Sequence, residues 1–157
     1  MGQISVRHFL STPDDTCAAA CRLGPLLRPG DVLLFQGGIG AGKTHFARCL
    51  IKSILTEPED VPSPTFTLVQ TYDTIRGPVW HADLYRLSHP DEVEELGLSE
   101  AFDTAICLVE WPDRLGDLAP ASALELSFSV EGETARAMTI RGDAAHWHDI
   151  LREAKLD

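Results

Sequence analysis

Apolar residues fall along this chain in two spacings, and the change from one to the other marks its elements. "ISVRHFL" near the start reads as a short first strand. "STPDD" then reads as a helix start. Thr12 can cap, Pro13 suits the first helical position, and Asp14 and Asp15 complement the positive end of the dipole. That helix is expected to end near the turn "RPGD". "VLLFQ", at 32–36, is a continuous apolar run, the pattern of a strand buried on both faces. From Lys43 to Leu55 the spacing turns helical, with Phe46, Ala47, Leu50, Ile51 and Ile54 recurring on one face.

Beyond a polar loop, "TEPEDVPSPT", come "FTLVQTYD", a turn at "TIRGP", and "VWHADLY", read as the two strands of a hairpin. "HPDEVEELGL" predicts one short acidic helix and "AICLVE" another buried strand. "ALELSFSVEG" and "ARAMTIRG" predict a last hairpin. "AAHWHDILREAKL" is an amphipathic helix with Trp147, Ile150, Leu151 and Ala154 on the face that packs on the sheet. Strands alternating with helices predict an α/β fold of three layers. Its central sheet is mixed, mostly parallel, with antiparallel hairpins. No repeat or low-complexity linker divides it, so residues 1–157 are read as one domain.

Composition narrows the setting. The 157 residues are 44% hydrophobic and 24% charged, as in a soluble globular protein. No apolar run approaches the roughly 20 residues that span a bilayer. "MGQISVRHFL" shows neither a secretion signal nor a myristoylation signal. The four cysteines, Cys17, Cys21, Cys49 and Cys107, form no CxxC pair and are expected as free thiols packed like small apolar groups, which points to the cytoplasm. A net charge of −11 argues against tracking a nucleic-acid backbone unaided, though not against work on RNA through a partner.

The chemistry begins at "LLFQGGIGAGKTHF". Gly37, four residues, then Gly42-Lys43-Thr44 matches G-x-x-x-x-G-K-[ST], with a buried strand before it and an amphipathic helix after. Glycines at 37, 38, 40 and 42 let backbone N–H groups converge on phosphate oxygens. The loop Gly38, Ile39, Gly40, Ala41, Gly42, Lys43 and Thr44 is therefore expected to bind a nucleoside triphosphate. Lys43 would reach the β- and γ-phosphates and the Thr44 hydroxyl would bind Mg2+. Such a loop needs a carboxylate on a neighbouring strand. Glu110 ends "AICLVE", and Asp83 ends "VWHAD", a run interrupted by His81. Thr65, at the end of the proline-stiffened "VPSPTF", offers a hydroxyl and a carbonyl, either to a switch that senses the γ-phosphate and Mg2+ or to a plain proline-rich turn. His146 and His148 alternate along a helix and so point to different sides. Arg86 and Arg114 could bring charge to the phosphates or pair with surface acids.

Taken together and in order, "GGIGAGKTHF", "VPSPTFTLVQTY", "HADLYRL" and "VEWPDRL" resemble the TsaE (YjeE) family. These are small P-loop ATPases required for the threonylcarbamoyl modification of adenosine in tRNA. The resemblance implies ATP and Mg2+ as ligands, Asp83 as the Walker-B-like acid, and Glu110 as the acid that reaches Mg2+ and is needed for hydrolysis. Trp111 would lie at the site's edge, with Thr12 and Arg136 near the nucleotide base. It implies action with TsaB and TsaD, hydrolysis resetting the complex between rounds and tRNA being met only through the partners. Where the family loop has an acid followed by Leu, this chain has Gly38-Ile39. Two other readings of the loop are a small-molecule kinase and a nucleotide-dependent switch. No arginine cluster resembles a kinase lid, and the N-K-x-D guanine signature is absent.

Overall fold

In the computed structural model, which describes residues 2–157, one seven-stranded sheet organises the chain. Met1, the first residue of the stretch read for targeting signals, lies outside the described residues. The strands are β1 (Gln3–Leu10), β2 (Val32–Gln36), β3 (Val69–Thr74), β4 (Gly77–Asp83), β5 (Ile106–Glu110), β6 (Leu124–Val130) and β7 (Arg136–Asp143). They lie in the order β1-β7-β6-β2-β5-β4-β3. The central four, β6, β2, β5 and β4, run parallel, and β1, β7 and β3 are added antiparallel. The mixed sheet expected from the alternation of strands and hairpins is the one observed.

Alternation along each strand sends side chains to two cores. On one face Leu33 and Phe35 of β2, Ile106 and Leu108 of β5, and Val79 of β4 meet α1 (Pro13–Leu23), α2 (Lys43–Ile54) and α5 (Ala144–Glu153). On the other, Val32, Leu34, Cys107, Val109 and Ala82 meet α3 (Asp91–Glu95) and α4 (Leu98–Thr104). Thr12 caps α1 as expected, its hydroxyl accepting from the Asp15 N–H at 3.2 Å. Trp147 and Leu151 bury the inner face of α5, and the Trp147 indole donates to the Ser122 carbonyl at 2.7 Å. No helix among the described residues is long and apolar enough to cross a membrane.

Four expectations are corrected. "HPDEVEELGL" is not one helix: Gly97, at φ +82°, ends α3 and starts α4, whose Leu98, Ala101 and Phe102 form a second apolar face. α1 stops at Leu23 and tightens into a 3₁₀ turn, Gly24–Leu26, before "RPGD". "FTLVQTYD" becomes a strand only at Val69, because Thr65, Phe66 and Thr67 form a turn that leaves Phe66 exposed. Finally, Cys17 and Cys49 are not free thiols. α1 packs on α2 with these two positions facing each other, Cα atoms 5.3 Å apart, and a disulfide joins them. Cys21 and Cys107 are free.

Candidate functional site

The sequence builds the site at the C-terminal ends of three adjacent parallel strands. β2 feeds the glycine loop, whose chain must reverse sharply into α2. Gly37, Gly40 and Gly42 adopt φ of +140°, +80° and +113°, which other residues rarely tolerate. At Gly37 a Cβ would also stand 2.6 Å from the Phe128 carbonyl oxygen. Gly38 differs: its φ is unexceptional, and a Cβ there would meet nothing within 4 Å. A side chain here would be sterically admissible, so glycine at this position is not what sets the loop's path.

Register then places the acids. Phe35, Glu110 and Asp83 are paired across β2, β5 and β4, so both carboxylates emerge side by side on the face that α2 covers. They are 2% and 5% exposed, buried for charged groups. Glu110 Oε1 accepts from the Thr44 hydroxyl at 2.7 Å, and Oε2 lies 2.7 Å from His81 Nε2. Asp83 is held by its own chain, Oδ1 accepting from the Tyr85 N–H at 3.0 Å. The Thr65 hydroxyl lies 3.4 Å from Asp83 Oδ2 and 2.7 Å from that of Ser63.

Lys43, the first residue of α2, faces this pair. Its ammonium donates to the Gly37 carbonyl at 2.6 Å and stands 3.5 Å from the centre of the Trp111 ring. Burial pushes its pKa below the ordinary value, opposed by the negative charges of Glu110, Asp83 and Asp113. Two buried carboxylates facing one ammonium leave the cluster an excess of negative charge, a donor set of hard oxygens suited to Mg2+. Ile39, Gly40, Lys43, Thr44, Thr65, Asp83, Tyr85, Glu110 and Trp111 line a cleft of about 240 Å³. A larger hollow of about 410 Å³, at Lys52, Leu55, Pro58, Glu59 and Asp60, lies away from all of these groups.

The remaining expected residues divide. Arg136 reaches the loop, donating to the Gly40 carbonyl at 3.2 Å. Thr12 does not line the cleft; it caps α1, whose Pro13 carbonyl lies 2.9 Å from Nε2 of His45 near the start of α2. Arg86 lies over the Phe66 ring and Arg114 donates to the Tyr85 carbonyl, and among the described residues neither forms an ion pair with an acid. His146 and His148 turn to different carboxylates, Asp31 and Asp149. Two residues at the site went unassigned in the sequence. Tyr85 packs on Trp111 with ring centres 4.8 Å apart, and His81 holds Glu110. A single polar residue inside an otherwise buried strand was the available signal for His81.

The comparisons with known proteins agree with one another. Residues 10–138 match the family model described as "Threonylcarbamoyl adenosine biosynthesis protein TsaE". A tRNA threonylcarbamoyladenosine biosynthesis protein TsaE of Rickettsia felis is 38% identical over 132 residues, covering 84% of this chain and 77% of that one. The protein of the same name from Bacillus subtilis is 37% identical over 142 residues, covering 90% and 88%. The crystal structure of Bacillus subtilis YdiB superposes with a TM-score of 0.81 at 27% identity, over 99% of this chain and 97% of that one.

Proposed function

The chain belongs to the TsaE family of tRNA threonylcarbamoyladenosine biosynthesis, and from that premise we propose that it is a slow ATPase working with TsaB and TsaD. In this reading it binds ATP with Mg2+ and docks on the pair that forms N6-threonylcarbamoyladenosine in tRNA. Hydrolysis resets the complex between rounds, and tRNA is met only through the partners. The observation that carries the proposal is the convergence of Lys43, Thr44, Asp83 and Glu110 beneath the glycine loop.

Each residue has a task its position allows. Backbone N–H groups of the loop and the start of α2 receive the phosphates, with the partial positive charge of the helix end behind them. Lys43 exchanges the Gly37 carbonyl and the Trp111 face for phosphate oxygens. The Thr44 hydroxyl and the carboxylates of Asp83 and Glu110 hold Mg2+, which when bound draws off charge from the phosphates. Glu110, whose position is fixed on both oxygens, orients the attacking water. Thr65 follows the state of the γ-phosphate through its contact to Asp83. The open mouth, with Ile39 and Phe66 exposed, leaves room for a partner to complete the site. Completion in trans is worth roughly 10³–10⁵ in rate where nucleotidases use it.

The test is steady-state ATP hydrolysis by the purified chain, alone and with the TsaB–TsaD pair. A slow rate that rises with the pair is expected. A rate indifferent to the pair, together with a phosphorylated small molecule among the products, would replace this reading with a kinase.

A further inference from the structure

His81 occupies a position that packing alone would give to an apolar residue. On β4, Val79, His81 and Asp83 share the face toward α2, and their register partners on β5 are Ile106, Leu108 and Glu110. His81 is thus set one step deeper than the Asp83–Glu110 pair, diagonal to Glu110 and within reach of its longer side chain. The imidazole is 0% exposed. Its Nε2 lies 2.7 Å from Glu110 Oε2, whereas its Nδ1 is buried with no partner among the described residues. An ionised carboxylate only accepts, so Nε2 is the donor in this bond, and Nδ1 is left without a partner. Valine or leucine would fill the same place with no unpartnered nitrogen. The imidazole therefore carries a cost that packing does not account for, and the bond to Glu110 is what it gains.

The two acids of the site are supported differently. Asp83 is short and is held by a backbone N–H two residues along its own chain. Glu110 has a side chain one methylene longer, and its side-chain donors among the described residues are Thr44 and His81. The threonine hydroxyl rotates, and in the proposed reading it also faces Mg2+. The ring of His81, clamped in the core, is the fixed donor.

Resting on the ATPase reading above, we propose that His81 is the positioning residue of the site. It holds Glu110 Oε2 from behind, so that Oε1 stays directed at Thr44 and the metal position. His81 touches neither nucleotide nor water, and acts through Glu110. Partners that orient a metal-binding carboxylate typically matter by 10–100-fold in metal affinity or activity.

The experiment compares the wild type with His81→Leu, His81→Gln and His81→Asn. It measures ATP hydrolysis across a Mg2+ titration, ATP affinity by calorimetry with Mg2+ and with chelator, and thermal unfolding. Glutamine carries its amide nitrogen the same number of bonds from Cα as Nε2, whereas asparagine's falls one bond short. The expected result is that His81→Leu folds, binds ATP normally in chelator, and needs roughly 10–100-fold more Mg2+ for half-maximal effect or loses as much in rate. His81→Gln is expected to recover most of the loss and His81→Asn little of it.

Mg2+ dependence and rate in His81→Leu within about twofold of the wild type would overturn the inference, leaving the ATPase reading in place. Should the leucine variant not fold, the amide pair decides, and equal behaviour of Gln and Asn overturns it. A wild type that neither binds nor hydrolyses ATP removes the reading itself, and the inference with it.

Discussion

Lys43 Nζ stands 3.5 Å from the centre of the Trp111 ring, on the residue that directly follows Glu110. An ammonium drawn from an indole face to phosphate oxygens changes the field on that ring. ATP is therefore expected to alter tryptophan emission. The response should vanish in Trp111→Phe, because Trp147 is buried on the inner face of α5 and Trp80 packs beside Gly97. A full response in that variant would show that Lys43 does not move as proposed.

Lys43→Met removes charge-assisted bonds to phosphate, each typically worth about 1.5–3 kcal/mol, and ATP affinity should fall roughly ten- to a hundredfold. The ammonium is buried at a cost, which is why its pKa is lowered. The variant should therefore unfold at a temperature no lower than the wild type. Calorimetric titration and thermal melts on the same samples check both.

Glu110→Gln keeps an acceptor for the Thr44 hydroxyl but removes the charge. ATP binding should change little while turnover falls by roughly 10²-fold or more. Single-turnover measurements with saturating ATP read the two separately. Near-normal turnover would move the water-orienting role to Asp83.

The glycine loop offers a matched pair. Gly37→Ala combines a positive φ with a 2.6 Å approach to the Phe128 carbonyl, and should destabilise the fold by about 1–3 kcal/mol. Gly38→Asp places a side chain in open space at an unexceptional φ, and should stay within about 0.5 kcal/mol of the wild type. Denaturant melts of the two variants would give the comparison, and equal losses would contradict it.

Alkaline pH should weaken the fold through Cys107. Burial pushes this thiol from the ordinary 9.0 to about 12. Between those values the unfolded chain has lost the proton and the folded chain has kept it, so stability falls as pH rises. The contribution is complete below pH 9 and gone above 12, in total on the order of 4 kcal/mol. Cys107→Ala should flatten that part of the pH–stability curve.

What was legible in the sequence was what repeats locally. β2 and α2 announced themselves by an apolar run and a helical spacing on either side of the glycines, and Glu110 and Asp83 by ending buried strands. What lay between elements was not legible. Cys17 and Cys49 meet only because α1 packs on α2, which neither helix records in its own periodicity. His81 read as an interruption of a strand. Its meaning depends on the register of β4 against β5, which puts it diagonal to Glu110. Thr12 caps its helix, a role its own neighbours "STPDD" had already declared.

The strand that carries the glycine loop has a further property. β2 pairs with β5 on one side and β6 on the other, and both are encoded more than seventy residues downstream. At ribosomal rates of roughly 5–20 residues per second, the apolar "VLLF" waits several seconds or longer with both edges bare. β1 waits longer still, since its partner β7 closes the sheet last. The loop is thus among the first parts of the site to be synthesised and among the last to be held in place. In a nascent chain the glycine loop should take up its final path abruptly, once β6 is free to pair with β2.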